Sequence, residues 1–74
     1  MRVYFNLLDA TDSIPDRTGV EVDDVEQARA EAELVIAELF EQEPLARYAK
    51  GLRLEAVDPS GALLFSLNLD SMVH

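Results

Sequence analysis

Apolar and polar residues alternate through the first stretch of the chain. Val3, Phe5 and Leu7 fall on one side and Arg2, Tyr4 and Asn6 on the other. This period of two predicts a half-buried strand over 2–8. The polar cluster Asp9-Ala10-Thr11-Asp12-Ser13 then predicts a turn. Ile14-Pro15-Asp16-Arg17-Thr18-Gly19 reads as a connector. Pro15 has no N–H to give a ladder, so a strand here is an edge strand at most, and Gly19 suits a turn with positive φ. Val20-Glu21-Val22 is short and extended, and weak pairing at a sheet edge is expected of it.

From Asp23 the period changes. Val25, Ala28, Ala32, Val35, Ile36, Leu39 and Phe40 recur at spacings of three and four, forming one apolar stripe of a helix that runs to about Gln42. Asp23 is the expected cap, with Glu26 three residues on completing a capping box. Glu21, Asp23, Asp24 and Glu26 all suit the positive end of the helix dipole. Pro44 stops the helix, because its ring clashes with the preceding turn. Leu45–Lys50 are expected to add one short helical turn, capped by Gly51.

The last third predicts a hairpin. Asp58-Pro59-Ser60-Gly61 suits a type I turn followed by a glycine bulge. A turn centred there sets Val57 opposite Ala62, Ala56 opposite Leu63, Leu54 opposite Phe65 and Leu52 opposite Leu67. The last six fall on one face. Arg53, Glu55 and Ser66 lie on the other, with Val57, Ala62 and Leu64 among them. Turn chemistry and alternation agree on this face assignment. Residues 70–74 are expected to fray.

These elements assemble as an α+β fold of ββαββ order: a three- to four-stranded antiparallel sheet, with the second strand short or absent and one long helix packed on one face. The helical stripe covers the sheet face bearing Val3, Phe5, Leu7, Leu54, Phe65 and Leu67. The expected strand order is 2-1-3-4, with a right-handed helical crossover. At 74 residues the chain is one domain, 1–74.

With these residues in place, the chain resembles a family of short uncharacterised alphaproteobacterial proteins, a domain of unknown function common in rhizobia and their relatives. The resemblance is carried by Tyr4-Phe5, Asp9, Ile14-Pro15-Asp16, Gly19-Val20-Glu21, the Ala-rich helix at Ala28-Arg29-Ala30-Glu31-Ala32 and the Asp58-Pro59-Ser60-Gly61 turn. It covers almost the whole chain. Many relatives carry a His on or just after the first strand. Asn6, Leu7 and Leu8 stand there instead, so a role for that His is not shared. The resemblance implies a small standalone protein of this fold and no particular chemistry.

Charge narrows the function classes. Lys and Arg number 6 against 15 Asp and Glu, for a formal net charge of −9. Nucleic-acid binding rests on clustered bases that release counterions, and of the bases only Arg47, Lys50 and Arg53 lie close together. Neither nucleic acid nor an anionic membrane is an expected partner. A basic protein partner is electrostatically permitted. The start of the chain lacks the long apolar segment of a secretory signal, and no apolar run approaches the roughly 20 residues that span a bilayer. With zero cysteines, the expected location is the cytoplasm.

Little in the sequence points to catalysis. His74 is the one histidine and the last residue, so a Ser-His-Asp triad, a Cys/His pair or a zinc site cannot be assembled within one chain. Asp9, Asp12 and Asp16 lack the alternating spacing of a calcium loop and read as turn and cap residues. The expectation is a non-enzyme with no catalytic, cofactor or metal residues. A chain of this size buries only about 60% of its unfolded surface, which favours a homodimer. Six residues are candidate interface positions. Ala30, Leu34 and Ala37 form a narrow apolar strip on the back of the helix. Tyr4, Val57 and Leu64 dilute the polarity of the outer sheet face. The expected function is that of a small acidic module acting by self-association or by binding a protein partner. The alternative is a regulatory, antitoxin-like protein or nucleic-acid mimic, meeting a basic partner through Glu31, Glu33, Glu38 and Glu41.

Overall fold

The structure is a computed structural model that describes residues 1–44 and 51–69. The alternating segment forms β1, Arg2–Leu8. Two short strands follow, β2 at Ser13–Ile14 and β3 at Val20–Glu21. Helix α1 spans Val25–Gln42, and the hairpin strands are β4, Arg53–Val57, and β5, Leu63–Asn68. All strand pairs are antiparallel, in the order β2-β1-β4-β5, with β3 also on β1. The described residues thus hold five strands and one helix, an open α+β layer.

Backbone parity places β2 and β3 on the same edge of β1. Met1 and Val22 exchange two hydrogen bonds, Met1 N to Val22 O at 2.7 Å and Val22 N to Met1 O at 2.8 Å. Outward direction repeats every second residue, so Val3, Phe5 and Leu7 face that edge too. β3 takes Val3 and β2 takes Leu7. Between them the Phe5 N–H meets the Asp16 side chain, donating to Oδ2 at 3.1 Å. The second strand of the expected fold is therefore a single edge run broken into two pieces around Pro15–Gly19. That break is why the sheet has five strands rather than three or four.

The helix covers one face, as the stripe predicts. Val3, Phe5, Val22, Ala28, Ala32, Ile36, Leu54, Ala56 and Leu69 are buried. Leu7, Val20, Val35, Leu39, Phe40, Leu52, Leu64, Phe65 and Leu67 pack around them. The alanines at 28 and 32 let the helix approach the sheet closely. Burying each larger side chain contributes roughly 1.5–3 kcal/mol.

Four details differ from the expectation. The helix cap is Asp24, not Asp23: its Oδ1 accepts from the Gln27 N–H at 2.8 Å. Gln27, not Glu26, is the side chain that reaches back: its Oε1 accepts at 2.6 Å from the N–H of Asp23, the residue before the cap, rather than from the cap itself as in a standard box. With the start one residue later, Val25 stands at the first helical position, 44% exposed and outside the stripe. The hairpin register is shifted by two, with Ala56 opposite Phe65 and Leu54 opposite Leu67, and a bulge near the turn sets Val57 opposite Leu63. A shift of two preserves the faces of Leu54, Ala56, Phe65 and Leu67. The bulge moves Leu63 to the outer face and leaves Leu64 against the core. The expected helical turn over 45–50 and the fraying of 70–74 lie outside the described residues. Gly51 has a left-handed φ of +71°.

Candidate functional site

On the sheet face opposite α1, the register stacks three rows. Tyr4 lies beside Val57, which lies beside Leu63. Asn6, Glu55 and Ser66 form the second row, and Leu8, Arg53 and Asn68 the third. One end of this outer face is thus apolar across three strands. The Arg53 Nε–Glu55 Oε2 ion pair, 3.2 Å, lies across the next two rows. Tyr4 and Val57 are half-buried by their neighbours, while Leu63 is 57% exposed.

The Tyr4 ring is held by a glycine. Gly19 has φ +74°, and a Cβ there would stand 3.0 Å from both Tyr4 Cε1 and the Val3 carbonyl oxygen. The positive φ and these tight approaches both favour a residue without Cβ where the connector passes under this ring.

The six candidate interface residues do not form one surface. Tyr4 and Val57 adjoin on the outer sheet face. Leu64, assigned there from the sequence, packs instead against the core, and Leu63 replaces it. The two consecutive leucines leave the face ambiguous in the sequence, and the bulge resolves it. Ala30, Leu34 and Ala37 are exposed on α1, with Leu34 at 60%. They point away from the sheet, on the opposite side of the molecule from Tyr4.

The aspartates of the connectors organise backbone. Asp9 Oδ1 accepts from the N–H groups of Thr11 and Asp12 at 2.8 and 2.7 Å. These two bonds hold its pKa below the ordinary value. Asp58 Oδ1 accepts from the Ser60 hydroxyl at 2.6 Å, then from Ala62 and Ser60 N–H, with the same direction of shift. At Asp16 partial burial raises the pKa. The N–H donors of Gly19, Phe5 and Thr18, with the Arg2 charge, outweigh it and leave the pKa lowered. Among the described residues no group of three His, Cys, Asp or Glu side chains could hold a metal ion. An open groove of about 250 Å³ lies at the far end of β1, lined by the apolar Leu7, Leu8, Ile14, Leu39 and Leu52 and the acidic Asp9, Asp12 and Glu43. Among the described residues no helix is long and apolar enough to cross a membrane.

Comparison with known proteins adds one result: the family model for a domain of unknown function, DUF6894, matches residues 2–70. No curated protein and no solved structure matches the chain.

Proposed function

The chain belongs to the DUF6894 family, and we propose that it works as a small acidic, non-enzymatic module that self-associates or binds a protein partner through the sheet face α1 leaves open. The observation that carries this reading is the Tyr4–Val57–Leu63 row, apolar across three adjacent strands. Antiparallel sheets tolerate water on one face when that face is polar; a transverse apolar row there favours cover by another protein. The groups that chemistry would recruit first, Asp9, Asp16 and Asp58, are occupied with backbone N–H groups, which favours structural roles for them. The reading includes a cytoplasmic location and an origin among alphaproteobacteria.

The test is affinity capture from native cells, comparing wild type with Leu63→Asp. This exposed position lets the variant fold. Loss of a captured protein, or of a captured second copy, in the variant supports the reading. Identical captured sets from the two folded proteins overturn it. A second reading draws on the exposed acids Glu33, Glu38 and Glu41 of α1, with Glu31 beside them. A basic partner held there dissociates steeply with salt, whereas a partner on the apolar row does not.

A further inference from the structure

The two edges of the sheet are built differently. On the β2/β3 edge, the paired strands are two residues each. Pro15 and the Asp16 carboxylate lie between them, and the Arg2–Glu21 ion pair, 3.1 Å, flanks β3. Short pieces, proline and charge are the devices by which an edge refuses further strands. At the other edge, β5 runs six residues, and no ionisable side chain and no proline occurs between Ser60 and Leu69. Its one irregularity is the bulge near the turn, so Phe65–Asn68 pair regularly with β4.

Parity fixes which backbone groups this edge presents. The Leu69 N–H donates inward to the Leu52 carbonyl at 2.9 Å. Leu67 and Phe65 therefore also direct their N–H and C=O groups at β4, and Ser66 directs both of its groups outward. On the helix side of this edge Phe65 and Leu67 are only half-buried. The Arg29 guanidinium lies 5.9 Å from the centre of the Phe65 ring. Arg29 is the sole base of α1, against five glutamates.

We propose that the β5 edge pairs antiparallel with the β5 edge of a second copy, around Ser66, giving a two-fold dimer with one continuous sheet. This rests on the self-association half of the reading above and places that contact at the β5 edge of the sheet rather than on its open face. Centring on Ser66 keeps facing residues on the same side of the sheet. The Ser66 N–H and C=O of each copy exchange two hydrogen bonds. On the helix side, Phe65 of each copy stands opposite Leu67 of the other, so the half-buried margins of two thin cores become one. Charge selects the same edge: two chains of net charge −9 repel, and they meet with least opposition where the strand is uncharged and the helix offers its one cation. A two-fold contact uses the same patch on each copy, so it closes at two and leaves no growing edge.

The experiment is sedimentation velocity on the full chain from micromolar to millimolar concentration, with amide hydrogen exchange read at both ends of the range. The mass is expected to rise from 8.2 kDa toward twice that value, and the Ser66 amide is expected to slow at least tenfold with concentration. Ser66→Pro removes an N–H that the internal ladder does not use; it is expected to stay at the monomer mass with its helical circular dichroism retained. If that variant does not fold, the Ser66 exchange rate in wild type decides alone. A wild-type chain that stays monomeric at millimolar concentration overturns the proposal, as does a dimer whose Ser66 amide exchanges as fast as in the monomer. A monomer that still captures a protein through Leu63 overturns the β5 pairing and leaves the open-face reading standing.

Discussion

At Asp16 a side chain does the work of a missing strand. Its Oδ2 takes the Phe5 N–H, and its Oδ1 takes those of Thr18 and Gly19 at 3.0 and 3.1 Å. Its own N–H donates to Asn6 Oδ1 at 2.9 Å. The broken edge run is thus held to β1 without a continuous ladder. Removing the acceptor strands donors that are partly shielded from water, and Asp16→Ala is expected to cost about 1–3 kcal/mol, measured as the urea midpoint at pH 7. The pH dependence follows from the lowered pKa. A carboxylate whose folded pKa lies below its unfolded value of 3.8 adds stability that is complete above that value and drains as pH falls through the folded pKa. Asp9 and Asp58 act in the same direction. Wild type is therefore expected to lose stability below about pH 4, and Asp16→Ala to lose less over the same window. An equal acid slope in the variant would show that Asp16 is not a source of it.

At the scale of elements, the helix start separates two readings of adjacent acids. Both Asp23 and Asp24 suit the dipole, but only the Asp24 carboxylate reaches a first-turn N–H, that of Gln27. Asp24→Ala is expected to cost about 1 kcal/mol in thermal or urea unfolding. Asp23→Ala is expected to cost a few tenths, because it loses only a dipole contact near an exposed terminus. Equal losses would return the cap to Asp23. The spacing D-x-x-E and the spacing D-x-x-Q overlap here by one residue, so the sequence alone leaves the register of the cap open. The hairpin has the same character. The Asp58–Gly61 turn and the faces of Leu54 and Phe65 were legible, because hydrophobic alternation has only two phases. Opposing residues were not: a turn longer by one residue and one bulge residue at Leu64 together shift the register by two, which changes every partner from Ala56 onward while keeping the faces of Leu54, Ala56, Phe65 and Leu67. Of the two pieces of the edge run, the Val20–Glu21 pairing is legible from the sequence, whereas Pro15 and the polar residues around it conceal the Ser13–Ile14 pairing inside a connector.

For the whole molecule, repulsion among excess acids opposes folding. The Cα radius of gyration is 11.9 Å, well inside the Debye length of about 30 Å at 0.01 M salt and far outside the roughly 3 Å at 1 M. Raising NaCl across that range is expected to raise the thermal midpoint of the chain and to strengthen self-association. A midpoint that falls would show the Arg2–Glu21 and Arg53–Glu55 pairs outweighing the net repulsion; exposed pairs of this kind contribute at most about 1 kcal/mol each.

Periodicity and turn chemistry by themselves determined the strand at 2–8, the helix ending before Pro44, the hairpin turn and the face that joins them, because each is set by contacts a few residues apart or by the simple parity of side chains. Tertiary structure decided what depends on distant partners. Asp16 became a surrogate strand only when Phe5 lay beside it. Leu63 reached the open face only through a bulge. The interface candidates on α1 and on the sheet parted to opposite sides, because a helix laid on a sheet turns its back away from the sheet's outer face.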